Sequence, residues 1–317
     1  MFVEGGQDME LRHGTNPHQT ASARPVTPGR WPMRVLNGQP SLINLLDALN
    51  GWQLVRQASS AVGKVAAASF KHVSPAGAAV ADTVAEAYRL ARDADRKSSY
   101  GDFVAVSHPV SVDLAELLAS VVSDGIVAPG YEPGTVERLS RKKKGRYLVV
   151  EADPTFTPPA REEREVFGLR LVEDRDDVPL TPALLPPSGA LPSQAVEDLL
   201  LGLAVLRFTQ SNSVAYVRNG MTLGIGAGQQ SRIDCTALAG AKVDTWWLRR
   251  HPDDLLDQVA CVSDGAFPFR DNVDEAARHG VRYIAEPGGS IRSPEVEQAC
   301  REHGITYVRT ALRLFHH

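Results

Sequence analysis

Cysteine is scarce. Cys235, Cys261 and Cys300 are the three in 317 residues, far apart and without a C-x-x-C pair. The spacing excludes a disulfide framework, and with no secretory signal at Met1 it predicts a reduced, cytoplasmic protein whose cysteines are small core residues. Long apolar runs are missing as well. None approaches the roughly 18 residues of a membrane helix, so no membrane span is expected. Neither sign of charge dominates: 34 Lys and Arg face 38 Asp and Glu, a net charge of -4. That balance argues against a general nucleic-acid or membrane surface, so an anionic ligand would be small and held by local arginines.

What remains is an ordinary globular composition, 43% hydrophobic, in a chain long enough for two domains. The most informative stretch is Ser69-Phe70-Lys71-His72-Val73-Ser74-Pro75-Ala76-Gly77, directly after the apolar run Val65-Ala66-Ala67-Ala68. The run reads as a buried strand, which Pro75 and Gly77 are expected to end, opening a turn or helix. Lys71 and His72 then stand near a strand's carboxyl end, where open α/β sheets bind ligands. An ammonium beside an imidazole disfavours the second positive charge, leaving His72 able to accept a proton and Lys71 able to stabilise negative charge. A solvated Lys-His pair on a strand edge fits the spacing equally well.

Before it, Leu11 to Gln19 forms a polar, turn-rich loop carrying Arg12, His13 and His18, and residues 1–10 form a loose lead. Ser41 to Ala61 has the apolar spacing of an amphipathic helix. After it come a helix near Thr83 to Asp93, a Gly-bearing turn at Gly101 running into a strand, a helix over Val112 to Val122 and a strand after Asp124. Arg141 to Gly145 reads as a solvated helix end. Residues 153–193, rich in Pro, Glu, Asp and Arg with one strand-like patch at Leu169, Leu171 and Val172, are expected to connect a first domain, 1–152, to a second, 194–317. The second begins with a helix from Gln194, turns at Arg218-Asn219-Gly220, and alternates Gly224, Gly226 and Gly228. That spacing departs from G-x-G-x-x-G, so a dinucleotide is rejected in favour of close approach by a ligand or another backbone. Helices and strands alternate to the end, and Arg309 to His317 is too apolar to hang free. The pattern predicts three-layer α/β domains, without a repeat visible in the residues themselves.

Taken in order, Arg12 to Gln19, Leu36 to Asn50, Ser69 to Val80, Ser98 to Ser107, Asp124 to Glu132, Thr209 to Ala239, Trp246 to Pro252, Phe267 to Asn272 and Leu312 to His317 resemble the aminoimidazole carboxamide ribonucleotide (AICAR) transformylase family. The resemblance spans nearly the whole chain. It implies two cytidine-deaminase-like three-layer α/β domains, a homodimer with composite active sites, and formyl transfer from 10-formyltetrahydrofolate to the 5-amino group of AICAR in purine synthesis. Zinc deaminases need H-x-E and P-C-x-x-C; neither is present, so zinc is not expected.

Carried over residue by residue, the resemblance makes His72 the base, Lys71 the cation at the oxyanion or leaving nitrogen, and Asn212 an orienting group. Arg12, His13, His18, Gly101, Asp124, Arg232, Arg313 and Phe315 match nucleotide positions; Ile233, Phe267, Pro268, Phe269, Asp271, Ser290 and Ile291 match the folate side. Leu206, Thr209, Ser211, Ser213, Asp264 and Leu314 match a potassium site. Four departures stand out: no preceding cyclohydrolase region, so that ring closure would fall to another protein; His13 in place of a tyrosine; Gly265-Ala266 in place of Ala-Phe; and only a short segment between Pro252 and Val262. His13 and Ala266 keep open a paralogue acting on an AICAR analogue, and a non-catalytic nucleotide- or folate-binding protein is the reading from another class.

Overall fold

The computed structural model describes residues 8–185 and 191–317; most of the lead and residues 186–190 of the connector lie outside it. In chain order the elements are β1 (Met9–Glu10), β2 (Ser22–Ala23), β3 (Met33–Asn37), α1 (Leu42–Val62), β4 (Val65–Lys71), β5 (Ser74–Ala81), α2 (Val84–Ala94), β6 (Asp102–Val106), α3 (Val112–Ser120), β7 (Ser123–Ala128), α4 (Thr135–Ser140) and β8 (Leu148–Ala152). They continue as β9 (Arg161–Val166), β10 (Leu169–Asp174), α5 (Ser193–Leu206), β11 (Ser213–Arg218), β12 (Met221–Ala227), α6 (Arg232–Lys242), β13 (Val259–Ser263), α7 (Asp271–Ala277), β14 (Val281–Glu286), α8 (Ser293–Glu302) and β15 (Thr306–Arg309).

Among the described residues, eleven strands form one mixed sheet in the order β15-β14-β13-β11-β12-β5-β4-β6-β7-β8-β3. Alternation along each strand splits the core. Ala66, Ala68 and Phe70 face the layer that contains α1 and α5, whereas Ala67 faces the layer of α2, α3, α6, α7 and α8. The result is the expected three-layer α/β architecture. No described helix is long and apolar enough to cross a membrane.

Local chemistry explains the elements that carry the site. Ser41 caps α1 in a reciprocal box with Asn44, and Gly63, at φ 77°, ends it. The alanine run of β4 and Gly77 of β5 let helices press close: a side chain at Gly77 would begin 2.2 Å from the Ala91 carbonyl oxygen. Gly224 and Gly226 do the same for α6, whose Ala239 and Cys235 carbonyl oxygens would meet a Cβ at 2.2 and 2.0 Å. The approaching backbone is therefore a helix of the same chain.

Two expectations are corrected. Pro75 and Gly77 do not end a strand; they lie inside β5, which pairs antiparallel with β4 through a two-residue turn. The register slips between Ser69 and Phe70, and such an irregularity tolerates a proline. Nor is the basic run all solvated. Lys142 donates to the carbonyl oxygens of Leu118 and Val121 and to Ser123 Oγ, and its ammonium lies 4.5 Å from the centre of the Tyr147 ring. Burial lowers its pKa to about 8. The carbonyls that end α3 draw it in, a lysine being well suited to a helix C-terminus.

The two sides of the sheet follow the same course. From the centre outward, β5-β4-β6-β7-β8 matches β12-β11-β13-β14-β15, with β4–β5 and β11–β12 as antiparallel hairpins. The central strands β5 and β12 are themselves antiparallel, so the halves run in opposite senses.

Candidate active site

The registers decide which side chains share an end of the sheet. Lys71 at the close of β4 lies beside Ser74 at the start of β5, and Phe70 pairs with Phe103, which puts the start of β6 there as well. Asp102 pairs with Ser123 at the start of β7. Across the centre, Ser213 pairs with Ala227, Val214 with Ser263, and Val262 with Ala285. Lys71, His72, Gly101, Asp124, Asn212, Asp264 and the loop after Glu286 therefore gather at one end. The loop of Arg12 and His13 joins them, because the Arg12 amide donates to the Pro40 carbonyl (2.9 Å) just beyond β3.

Within the first half, Lys71 Nζ donates to the Tyr100 carbonyl oxygen at 2.7 Å. His72 is exposed on a turn where His72 and Val73 have φ 54° and 61°, and the Val73 amide donates to Asp47 Oδ1 at 2.7 Å. Gly101, at φ 77°, sits beside Asp124, whose carboxylate pairs with Lys143. Beneath them lies a buried polar cluster: the Ser69 hydroxyl donates to Asp102 (2.7 Å), Tyr88 OH to the same carboxylate (3.1 Å), and Arg92 to the Ser99 carbonyl (2.6 Å). Burial pushes Asp102 up to about 6 against those bonds and the Arg92 charge. The cluster braces the segment from Ser99 to Gly101, and with it the carbonyl that Lys71 uses. His18 stands exposed with Arg12 along a cleft of about 290 Å³.

In the second half, Asn212 Nδ2 donates to the Gln229 carbonyl (2.9 Å) while its Oδ1 accepts from Arg232 Nη2 (2.7 Å). Arg232, buried, also reaches Ser263 Oγ (2.9 Å) and Asp264. Phe315 stacks under two guanidinium groups, Arg232 at 5.9 Å and Arg313 at 4.6 Å. Gly265 leaves room for this packing: a Cβ there would stand 2.5 Å from Arg232 Nη2 and 2.7 Å from the Phe315 ring, so that an alanine would need those side chains to shift. Pro268 and Ser290 line an open groove of about 690 Å³ with Arg232, Arg313 and Phe315. Phe269 lies 5.3 Å from the Arg292 guanidinium and Ile291 is fully exposed. Asp271 opens α7, bonded to the Asn272 amide, and Ile233 is in the first turn of α6. Phe267 differs from its neighbours in being wholly inside the core.

The residues matched to potassium fall into two hydrogen-bonded sets. Thr209 donates to the Val205 carbonyl, its amide to Leu206, and Asp264 accepts from Ser211 Oγ (2.6 Å) and the Ser213 amide (3.0 Å). The Leu314 amide donates to the Asp264 carbonyl, which docks the C-terminal segment as expected. Ser213 Oγ is buried without a hydrogen-bond partner. An orphan hydroxyl among carbonyls and a carboxylate is the donor set a hard, oxygen-seeking cation uses.

Sequence reasoning passed over Asp47, Asp102 and Glu286. Glu286 is buried and accepts from the Gly288 amide at 2.7 Å and from Tyr307, tying down the loop that carries Ser290. A buried carboxylate has no signature in a sequence beyond being a polar residue among apolar ones.

The first and second groups are not joined among the described residues by any hydrogen bond or ion pair. Between β4 and β11 stand three strand spacings, about 14 Å. With Lys71 Nζ held on the Tyr100 carbonyl beside β6, on the side of β4 away from β11, and Asn212 held on Arg232, Lys71 and Asn212 of one chain do not converge on one atom.

Comparison with known proteins bears on this arrangement. A family model described as the AICARFT/IMPCHase bienzyme matches residues 1–242. The bifunctional purine biosynthesis protein PurH of Clostridium botulinum strain Hall is 35% identical over 315 residues, covering 98% of this chain and 59% of that protein. PurH of strain Okra is 34% identical with the same coverage. The chain thus spans 59% of the length of these curated relatives.

Proposed function

The chain belongs to the AICARFT/IMPCHase bienzyme family, and on that premise we propose that it transfers the formyl group of 10-formyltetrahydrofolate to the 5-amino group of AICAR in the cytoplasm. The observation that carries the proposal is the gathering of Lys71, His72, Asn212 and Arg232 at one end of the sheet in a chain of this family. An aryl amine conjugated to a carboxamide is a poor nucleophile, so a positioned base matters more than a covalent intermediate. His72 takes the proton as the amine nitrogen attacks the formyl carbon. Lys71, steadied by the Tyr100 carbonyl, stabilises the oxyanion that forms. Collapse breaks the bond from the formyl carbon to N10 of the folate, and the proton passes to that nitrogen. Asn212, held by Arg232, orients the carboxamide.

Arg12 and Arg313, both exposed, are the guanidinium groups available to the nucleotide phosphate. The folate lies along the groove of Pro268 and Ser290. The 14 Å gap within one chain supports a homodimer in which Lys71 and His72 of one copy meet Asn212 of the other, each half of the chain being one deaminase-like unit. Potassium bound at Ser211, Ser213, Asp264 and the carbonyls near Leu206 and Leu314 would share the buried Asp264 carboxylate with Arg232 and steady the C-terminal segment.

The test is steady-state release of tetrahydrofolate from 10-formyltetrahydrofolate with AICAR as acceptor. Wild type turns over and His72→Ala loses roughly 100- to 10,000-fold, the usual contribution of a general base, while AICAR still binds. Full turnover in the variant would remove His72 from the mechanism, and AICAR binding without any turnover in wild type would mean a binding protein.

A further inference from the structure

The turn that carries His72 has an unusual build. His72 and Val73 both adopt left-handed backbone, φ 54° and 61°, a region that a β-branched residue rarely enters. At the equivalent turn of the other half the same conformation, φ 52° and 75°, is filled by Asn219 and Gly220, the pair best suited to it. In each half the helix leading into the hairpin sends a buried aspartate to the turn. Asp198 of α5 accepts from the Asn219 and Gly220 amides at 3.0 and 2.7 Å. Asp47 of α1 accepts from the Val73 amide at 2.7 Å and is 6% exposed.

We propose that Asp47 is a positioning residue for formyl transfer, holding the Lys71-His72-Val73-Ser74 turn in its left-handed form through the Val73 amide. The inference rests on His72 being the base. Two observations separate it from ordinary turn support. A turn chosen for stability alone would carry Asn-Gly, as its counterpart does; here the unfavoured residues sit at the reacting end, where strain is characteristically kept. Asp47 is also buried with no ion-pair partner among the described residues, and burial, with Asp124 nearby, lifts its pKa to about 6 against the Val73 hydrogen bond. The fold carries an uncompensated carboxylate at the one place where the His72 turn needs an acceptor.

The experiment uses the full chain with AICAR and 10-formyltetrahydrofolate, and reads kcat and KM separately. Asp47→Ala lowers kcat about 10- to 100-fold, the scale of a misplaced catalytic group, and leaves KM for AICAR within about threefold. Asp47→Asn, which keeps an acceptor oxygen for Val73, restores most of that kcat. Asp198→Ala, the same deletion at the inert turn, lowers the melting temperature and leaves kcat of the folded enzyme unchanged. A cycle with Val73→Gly keeps the test decisive if Asp47→Ala folds poorly: glycine holds the left-handed turn unaided, so removing Asp47 from the Val73→Gly protein changes kcat less than threefold. A tenfold further loss there, or wild-type kcat in Asp47→Ala while His72→Ala is inactive, overturns the inference alone. An active His72→Ala overturns the reading beneath it.

Discussion

α1-β4-β5 and α5-β11-β12 take the same path, each a helix feeding an antiparallel hairpin at the middle of the sheet. The first hairpin closes with His72-Val73 and the second with Asn219-Gly220. Because the halves run in opposite senses, the two turns lie at opposite ends of the sheet. The favoured turn residues stand at the end away from Asn212 and Asp264, and the unfavoured ones stand at the site. Where nothing but folding is asked of a turn, local chemistry and conformation agree; at the site they part.

A similar contrast separates two of the buried carboxylates at that end. Asp264 is bound to Arg232, Ser211 and the Ser213 amide, while Asp102 has Ser69, Tyr88 and a longer contact of 3.3 Å to Arg92. Stripping the arginine from each is the harshest test of the difference. Arg232→Met is expected to cost roughly 3–5 kcal/mol in urea unfolding, the usual result of orphaning a buried charge. Arg92→Met is expected to cost no more than about half of that, because Asp102 can take up a proton.

Acidity sharpens the comparison next. Asp47 and Asp102 are raised by burial to about 6 in the folded state, against about 3.9 unfolded. A raised carboxyl contributes its stability fully below the unfolded value and loses it as pH climbs through 6, on the order of 2–3 kcal/mol for each group. Asp254 of the second half has the opposite sign: the Arg218 hydrogen bonds hold it well below the usual range, so its contribution is present above that range and fades only in strong acid. Amide exchange corrected for intrinsic rates should show β4 and β6 better protected at pH 5 than at pH 7.5, with no such gain around Asp254.

Exchanging turn residues gives the smaller effects. Gly220→Val puts a branched side chain at φ 75° with its Cβ 3.1 Å from the Val80 carbonyl, and about 2 kcal/mol should be lost by denaturant titration. Val73→Gly should gain a few tenths to about 1 kcal/mol, the relief of left-handed strain less the entropy of a freer unfolded chain. No gain from Val73→Gly beside a full loss from Gly220→Val would erase the distinction between the two turns.

Much of this was legible. The Lys71-His72 strand end, the helix from Ser41, the Asn219-Gly220 turn and the close backbone approach at Gly224 and Gly226 each rest on local geometry, which a sequence encodes directly. β5 was not, because Pro75 and Gly77 are breakers by default and acceptable only where a register slip and an approaching helix suit them. Lys142 was missed since only the folded chain brings the end of α3 to it. Asp47 looks like any polar residue on an amphipathic helix until β4 and β5 cover it. The correspondence of the halves, expected only through the family resemblance, is invisible in the residues themselves for a related reason: it is held in strand order and direction, while the residues filling the equivalent places differ.

The join between the halves is thin. β4 and β5 share seven registered pairs, whereas β5 and β12 meet in register only at Ala79 and Met221, helped by Val80 to Gly220 and by the Thr222 hydroxyl on Ala78. Loaded in tension across the strands, the sheet is a series of zippers, and a series gives way at its weakest member. Pulled from its two outer edges, the molecule should part first along that central seam, with the packing of α1 on α5 as the remaining tether, and leave two intact half-sheets.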